Sequence, residues 1–183
     1  MKMKEFIYPE MMVHVPVCTN KVPTNVLIIS DNASVLEAEM MKHNGIGFKS
    51  IVCSLDALRA EGDKSYDVVI CEMQADAAVI AHISRILKEE GQLSMTHNSL
   101  DDVQSNKSLM QVLGNYFKVI MPYNLGNGST ALLASKEYHP TADIILQRSD
   151  MLDDLKYYNC DVHIASFAMP NYIRKEYLGI IKN

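Results

Sequence analysis

Short unbroken apolar runs alternate along the chain with stretches of helical spacing. Val26-Leu27-Ile28-Ile29 is one such run, as expected of a strand covered on both faces in a parallel sheet. Behind it Ser34-Val35-Leu36-Glu37 fits a capping box, Val35, Leu36, Met40 and Met41 put apolar groups on one side of a helix, and Gly45 supplies its stop. The alternation then recurs: residues 49–55 read as a strand, 56–61 as a short helix, 66–71 as a buried strand, 77–90 as a helix ending at Gly91, and 92–96 as a fourth strand. A polar stretch with helical spacing follows Asn98 and runs to Tyr116. Residues 117–121 and 130–135 are two further strands; Pro122, Asn124, Gly126, Asn127 and Gly128 between them mark a loop, which makes the strands an antiparallel pair. Residues 150–155 and 161–167 read as short helices, and Pro170 opens a last one through Tyr177. Strand and helix in alternation, closed by a hairpin, form a doubly wound α/β pattern.

Length limits this pattern to one domain, 1–183, because 183 residues support one sizeable core. Lys and Arg number 17 against 22 Asp and Glu, a net charge of −5 with no long basic tract. Nucleic acid and anionic membranes are therefore disfavoured as partners, while a cationic small ligand is not. No apolar run approaches the ~18 residues that cross a bilayer, and the N-terminus has no signal-peptide core, so the expected location is cytoplasmic. Cys18, Cys53, Cys71 and Cys160 form no CxxC pair and read as free, buried thiols. The histidines lack metal-ligand spacing, so no metal site is expected, and twelve methionines are read as core filler. Glycine is scarce, with 8 in all and none before Gly45.

The segment Leu155-Lys156-Tyr157-Tyr158-Asn159-Cys160-Asp161-Val162-His163-Ile164-Ala165-Ser166-Phe167-Ala168-Met169-Pro170 resembles the C-terminal signature of the spermidine synthases, the polyamine aminopropyltransferases. Glu5-Phe6-Ile7-Tyr8-Pro9-Glu10-Met11-Met12-Val13-His14-Val15-Pro16 is similar to the family's tyrosine segment ahead of its first Rossmann-like strand. Tyr66-Asp67-Val68-Val69-Ile70, Leu87-Lys88-Glu89-Glu90-Gly91 and Ala134-Ser135-Lys136 fall between them in family order. The resemblance covers nearly the whole chain and is strongest to divergent members of the epsilonproteobacterial kind. It implies a Rossmann-like sheet of the S-adenosylmethionine-dependent methyltransferase type with a terminal antiparallel hairpin. The stretch between the first strand and Tyr66 is short, so the sheet is expected to be reduced by about one β–α unit. The chain also starts where the family's N-terminal β-domain would end.

The implied activity moves an aminopropyl group from decarboxylated S-adenosylmethionine, a co-substrate rather than a tightly bound cofactor, to putrescine. Both reactants are cations, so such a site needs carboxylates for ammonium groups and an acceptor for the proton of the attacking amine. Glu72, at the end of the 66–71 strand, matches by resemblance the family's catalytic aspartate, one methylene longer; its alternative is a solvated strand-end acid. Tyr8 matches the substrate-contacting tyrosine, Tyr123 lies within one position of another, and either is alternatively a half-buried core tyrosine. Asp56 corresponds to a cofactor acid or to a helix N-cap, and Asp76 to a second acid of the amine site. Where the family has a glycine-rich cofactor loop, the chain has Ser30-Asp31-Asn32-Ala33-Ser34, with Asp31 the candidate replacement for its acid. The family's glutamine after the next strand is Thr96 here. His163 and the pair Tyr157-Tyr158 are explained by packing as well as by chemistry. Two functions follow: a spermidine synthase-like transferase, or a non-catalytic paralogue serving as a binding or partner protein. A homodimer through the sheet's helical face is a further expectation.

Overall fold

The computed structural model describes residues 4–183. Six strands form one sheet in the order β2-β1-β3-β4-β6-β5: β1 Asn25–Ile29, β2 Gly47–Ile51, β3 Tyr66–Cys71, β4 Leu87–Thr96, β5 Val119–Asn124 and β6 Thr130–Ser135. The first four are parallel, and β6 runs antiparallel between β4 and β5. This is the reduced Rossmann-like sheet with a terminal hairpin that the sequence predicts. Side chains alternate cleanly across it. Leu27, Ile29, Val69, Cys71, Leu93 and Met95 join one core, while Val26, Ile28, Val68 and Ile70 join the other.

The first core is covered by α3 Leu55–Arg59, α4 Ala77–Ile86, α5 Val103–Leu113 and α8 Asn171–Glu176. The second lies under α1 Ile7–Thr19, α2 Ser34–Met40 and α7 Cys160–Ser166, with α6 Leu146–Asp150 packed beside α1. Helix α1 has no counterpart in the hydropathy pattern. It is buried along almost its whole length, so no polar stripe marks its period, and Pro9 and Pro16 argue locally against a helix.

Several boundaries differ from expectation for identifiable reasons. Helix α4 stops at Ile86 because Leu87 turns extended and pairs with Tyr66. Gly91 consequently lies inside β4, where a Cβ would meet the Leu87 side chain at 2.8 Å, and is no helix stop. Ser34 does not cap α2: it is the first helical residue, and Glu37 instead accepts from the Ser50 hydroxyl at 2.5 Å. Val35 and Met41 consequently face solvent, at 48% and 67% exposure. Pro122, Tyr123 and Asn124 belong to β5, since an edge strand tolerates a missing donor. The predicted helix at 150–155 sits earlier, as α6, where the Arg148 guanidinium donates to the Val17 and Asn20 carbonyls at the C-terminal end of α1 at 2.8 and 2.5 Å. All four cysteines are free, with Cys18 and Cys71 buried and Cys53 and Cys160 partly so.

The 155–170 segment is fastened from within the core. Glu10, 1% exposed on α1, accepts the backbone N–H groups of Lys156, Tyr157 and Tyr158 at 3.0, 2.8 and 2.8 Å. Tyr157 lies against Gly126, where a Cβ would meet its hydroxyl at 2.1 Å. His163 donates from Nε2 to the Pro140 carbonyl at 2.9 Å, so its Nδ1 accepts from the Tyr158 hydroxyl at 2.7 Å. His163 and Tyr158 thus hold α7 in place.

Glu10→Gln replaces one of the two acceptor oxygens by a donor facing backbone N–H groups. It is expected to cost about 2–4 kcal/mol in urea unfolding, and an unchanged midpoint would remove Glu10 from this role. Acid acts on the buried imidazoles. Burial holds His163 down to about 4, and burial with His14 and Arg148 holds His43 down to about 3. The unfolded histidines bind protons from about pH 6.5 downward while these two stay neutral, so the unfolded state takes up more protons. Stability should fall as pH drops from about 6.5 towards 4, by roughly 1.4 kcal/mol per unit and per group. A flat urea midpoint over that range would contradict it.

Candidate active site at the strand ends

The order of the sheet reverses at β1, which feeds β2 on one side and β3 on the other, and open α/β sheets bind ligands outside the strand ends at such a point. Glu72 stands there. Its backbone N–H continues the ladder to Ile29 O at 2.9 Å, which fixes where its side chain leaves the sheet. Tyr8, on α1, donates to Glu72 Oε1 at 2.5 Å, and Ser30, directly after β1, donates to Oε2. Ser30 Oγ in turn accepts the Asn32 N–H at 3.0 Å. One carboxylate is therefore held between two hydroxyls from two elements. Burial and the adjoining Glu72 carboxylate push the Tyr8 phenol far above its ordinary value, so Tyr8 stays a donor.

Glu72 opens on a cleft of about 530 Å³ between α4 and α5, bounded by the ends of β3 and β4. Ala75, Ala77, Ile80, Leu109 and Val112 give it an apolar wall, and Gln74, Thr96, Asn98 and Ser105 a polar one. Glu72 and Asp76 are its two acids, and no Lys or Arg lines it. His97, also on the wall, is held towards its neutral form. Asn106 spends its amide N–H groups on the Asn98, Ser99 and Asp102 carbonyls, so its oxygen accepts from His97 Nδ1 at 2.8 Å, and Nε2 lies 2.9 Å from the Thr130 hydroxyl, from which it accepts in the neutral ring. Burial lowers the His97 pKa in the same direction. The cleft is thus an anionic, half-apolar slot suited to a cation with a flat apolar part.

The structure unites some of the expected site residues and separates others. Tyr8 and Glu72 meet directly, and Asp76 shares the cleft with Glu72 while capping α4 through the Val79 N–H at 2.9 Å. Tyr123 does not reach the cleft: it is fully buried, with its hydroxyl 2.7 Å from Ser94 Oγ. Asp31 turns away to accept the Cys53 N–H at 2.9 Å, holding the loop after β2. Asp56 lies in solvent beside Arg59 at 3.3 Å, and Ser54, not Asp56, caps α3. No residue of the 30–34 loop lines the cleft, because Ser30 closes on Glu72 itself. Ser30 and His97 are the contributors that sequence reasoning missed. A hydroxyl immediately after β1, at the same sheet end as Glu72, was the available signal for the first.

No family model matches the chain. The polyamine aminopropyltransferase of Helicobacter acinonychis (strain Sheeba) is 30% identical over 117 residues, 61% of this chain and 45% of that protein. That of Helicobacter pylori (strain G27) is 30% identical over 125 residues, 66% of this chain and 48% of that protein. The chain thus spans about half the length of these relatives. The Thermotoga maritima enzyme of the same name is 28% identical, covering 97% of this chain and 76% of its own length. The chain is thus similar to polyamine aminopropyltransferases over most of its length. Its fold agrees: a spermidine synthase solved with the transition-state analogue AdoDATO superposes over 97% of this chain and 76% of that one, with a TM-score of 0.83 at 22% identity. The Thermotoga maritima spermidine synthase gives 0.82 at 24% identity, with the same coverage. No helix among the described residues is long and apolar enough to cross a membrane.

The Tyr8–Glu72 contact has a spectroscopic consequence. In an alkaline titration followed by phenolate absorbance, Tyr8→Phe should leave tyrosine ionisation below about pH 11 unchanged. Loss of an ionisation step near pH 10 would place Tyr8 in solvent, away from Glu72.

Proposed function

We propose that the protein transfers an aminopropyl group from decarboxylated S-adenosylmethionine to putrescine. The observation that supports this most is the Glu72 carboxylate, fixed by Tyr8 and Ser30 at the sheet's switch point and opening on a cleft with two acids and no Lys or Arg. In the reaction a neutral amine nitrogen attacks the methylene beside the sulfonium. The carbon–sulfur bond breaks with its electron pair on sulfur, methylthioadenosine leaves, and the new ammonium gives up a proton. Glu72 orients the attacking amine by hydrogen bonding and is the nearest acceptor for that proton, passing it to solvent at the cleft mouth. Asp76 holds the far ammonium of the diamine. The apolar wall of Ala77, Ile80 and Leu109 takes the adenine face, and Asn98 and Ser105 lie where its edge offers hydrogen-bonding atoms. Tyr8 keeps Glu72 in position as a neutral donor.

The two hydroxyls supply what the longer side chain of Glu72 loses in placement, since each fixes one of its oxygens. The same contact favours a second reading, a non-catalytic paralogue, because Ser30 stands where a family member has backbone alone. The two readings differ in turnover. Incubation with decarboxylated S-adenosylmethionine and putrescine should release methylthioadenosine, and Glu72→Gln should lower the rate roughly 100-fold or more. Ser30→Ala should lower kcat with a smaller change in KM. Tight binding of methylthioadenosine without any release from the unaltered protein would establish the non-catalytic reading instead.

A further inference from the structure

A second cavity, of about 290 Å³, lies between the C-terminal end of α2 and α6, on the side where β1 and β2 begin and away from Glu72. Lys42, His43 and Arg148 line it, with no carboxylate among the lining residues. Lys42 is neutralised by Glu39 at 2.9 Å. Arg148 is not: three of its N–H groups go to the carbonyls of Val17, Asn20 and Lys21, and no acid pairs with it among the described residues. By inventory two guanidinium N–H groups and a full positive charge remain.

His43, only 5% exposed, ends a buried relay. The Glu39 carboxylate accepts from His14 Nε2 at 2.9 Å, so His14 Nδ1 carries a lone pair and must accept from His43 Nε2, also at 2.9 Å. His43 Nδ1 is left as a bare acceptor with no partner among the described residues. Gln92 Oε1, elsewhere in the fold, is the one fully enclosed side-chain oxygen or nitrogen among the described residues that lacks a partner, so His43 Nδ1 is not fully enclosed, and His43 lines the cavity. Around the imidazole stand His14 and, behind it, Glu10 from α1, Glu39 from α2, Lys42 just beyond α2, and Arg148 from α6, with the Tyr158 ring against His14. These surroundings, burial first, keep His43 uncharged at neutral pH. Ile46, Ile145, Met151 and Leu152 give it an apolar wall, and the side chains of Asn44 and Gln147 complete the lining.

We propose that this cavity binds a small aliphatic organic anion bearing a hydroxyl next to its charged group, with the charge on Arg148 and the hydroxyl donating to His43 Nδ1. A plain carboxylate would set its lone pairs against that of the imidazole. A 2-hydroxy acid satisfies both groups at once and places its chain on the apolar wall. The site does not depend on the chemistry at Glu72.

Titration calorimetry with 2-hydroxy-4-methylpentanoate and 4-methylpentanoate at neutral pH tests this. The hydroxy acid should bind roughly tenfold more tightly than its deoxy counterpart. His43→Phe should reduce that ratio to near one. Leu152→Trp, which fills the cavity and leaves the relay intact, should abolish binding of both and keeps the test decisive if His43→Phe does not fold. Absence of millimolar binding by either anion, binding that survives Leu152→Trp, or a ratio unchanged in His43→Phe would each overturn the proposal.

Discussion

A single buried carboxylate, Glu10, ties the two ends of the chain together. Its oxygens take three successive N–H groups at 156–158, which have no strand or helix to pair with. Satisfying them fixes the approach of the C-terminal segment to α1, and with it Tyr158, His163 and α7. Helix α1 is in turn the element that carries Tyr8 to Glu72 and His14 to His43. Both the cleft at the strand ends and the cavity on the far side of the sheet depend on where α1 lies.

At the strand ends the Glu72 carboxylate is held by two hydroxyl groups, those of Tyr8 and Ser30. Glycine lets backbone approach a nucleotide closely; the 30–34 loop gives that up, and its first side chain turns inward to Glu72. Space for a ligand is found on the other flank of Glu72, between α4 and α5. A carboxylate fixed by two donors is well placed to orient an ammonium, and the cleft's excess of acid over base favours a cationic guest.

Strands β3 and β6 were legible residue for residue, since both are closely packed and apolar. Helix α1 was not, because an element buried on every side has no amphipathic period. The 87–90 stretch reads as helix by propensity and becomes strand because Leu87 finds a ladder partner in Tyr66. Of the residues that meet at the cleft, Glu72, Tyr8 and Asp76 were singled out from strand position and resemblance. Asp31, Asp56 and Tyr123 lie away from the cleft, as a loop tie, a solvated charge and a core residue: an acid or a phenol at the expected spacing serves equally in each role, and only the backbone path decides. The longest motif, at 155–170, marks a fastening of the fold more than a catalytic group.

A crystal structure with 5′-methylthioadenosine soaked in would test the assignment of the cleft most directly. The nucleoside is predicted between α4 and α5, its base against Ala77 and Ile80 and its sulfur towards Glu72. A nucleoside bound elsewhere, or a cleft that stays empty at saturating concentration, would contradict it.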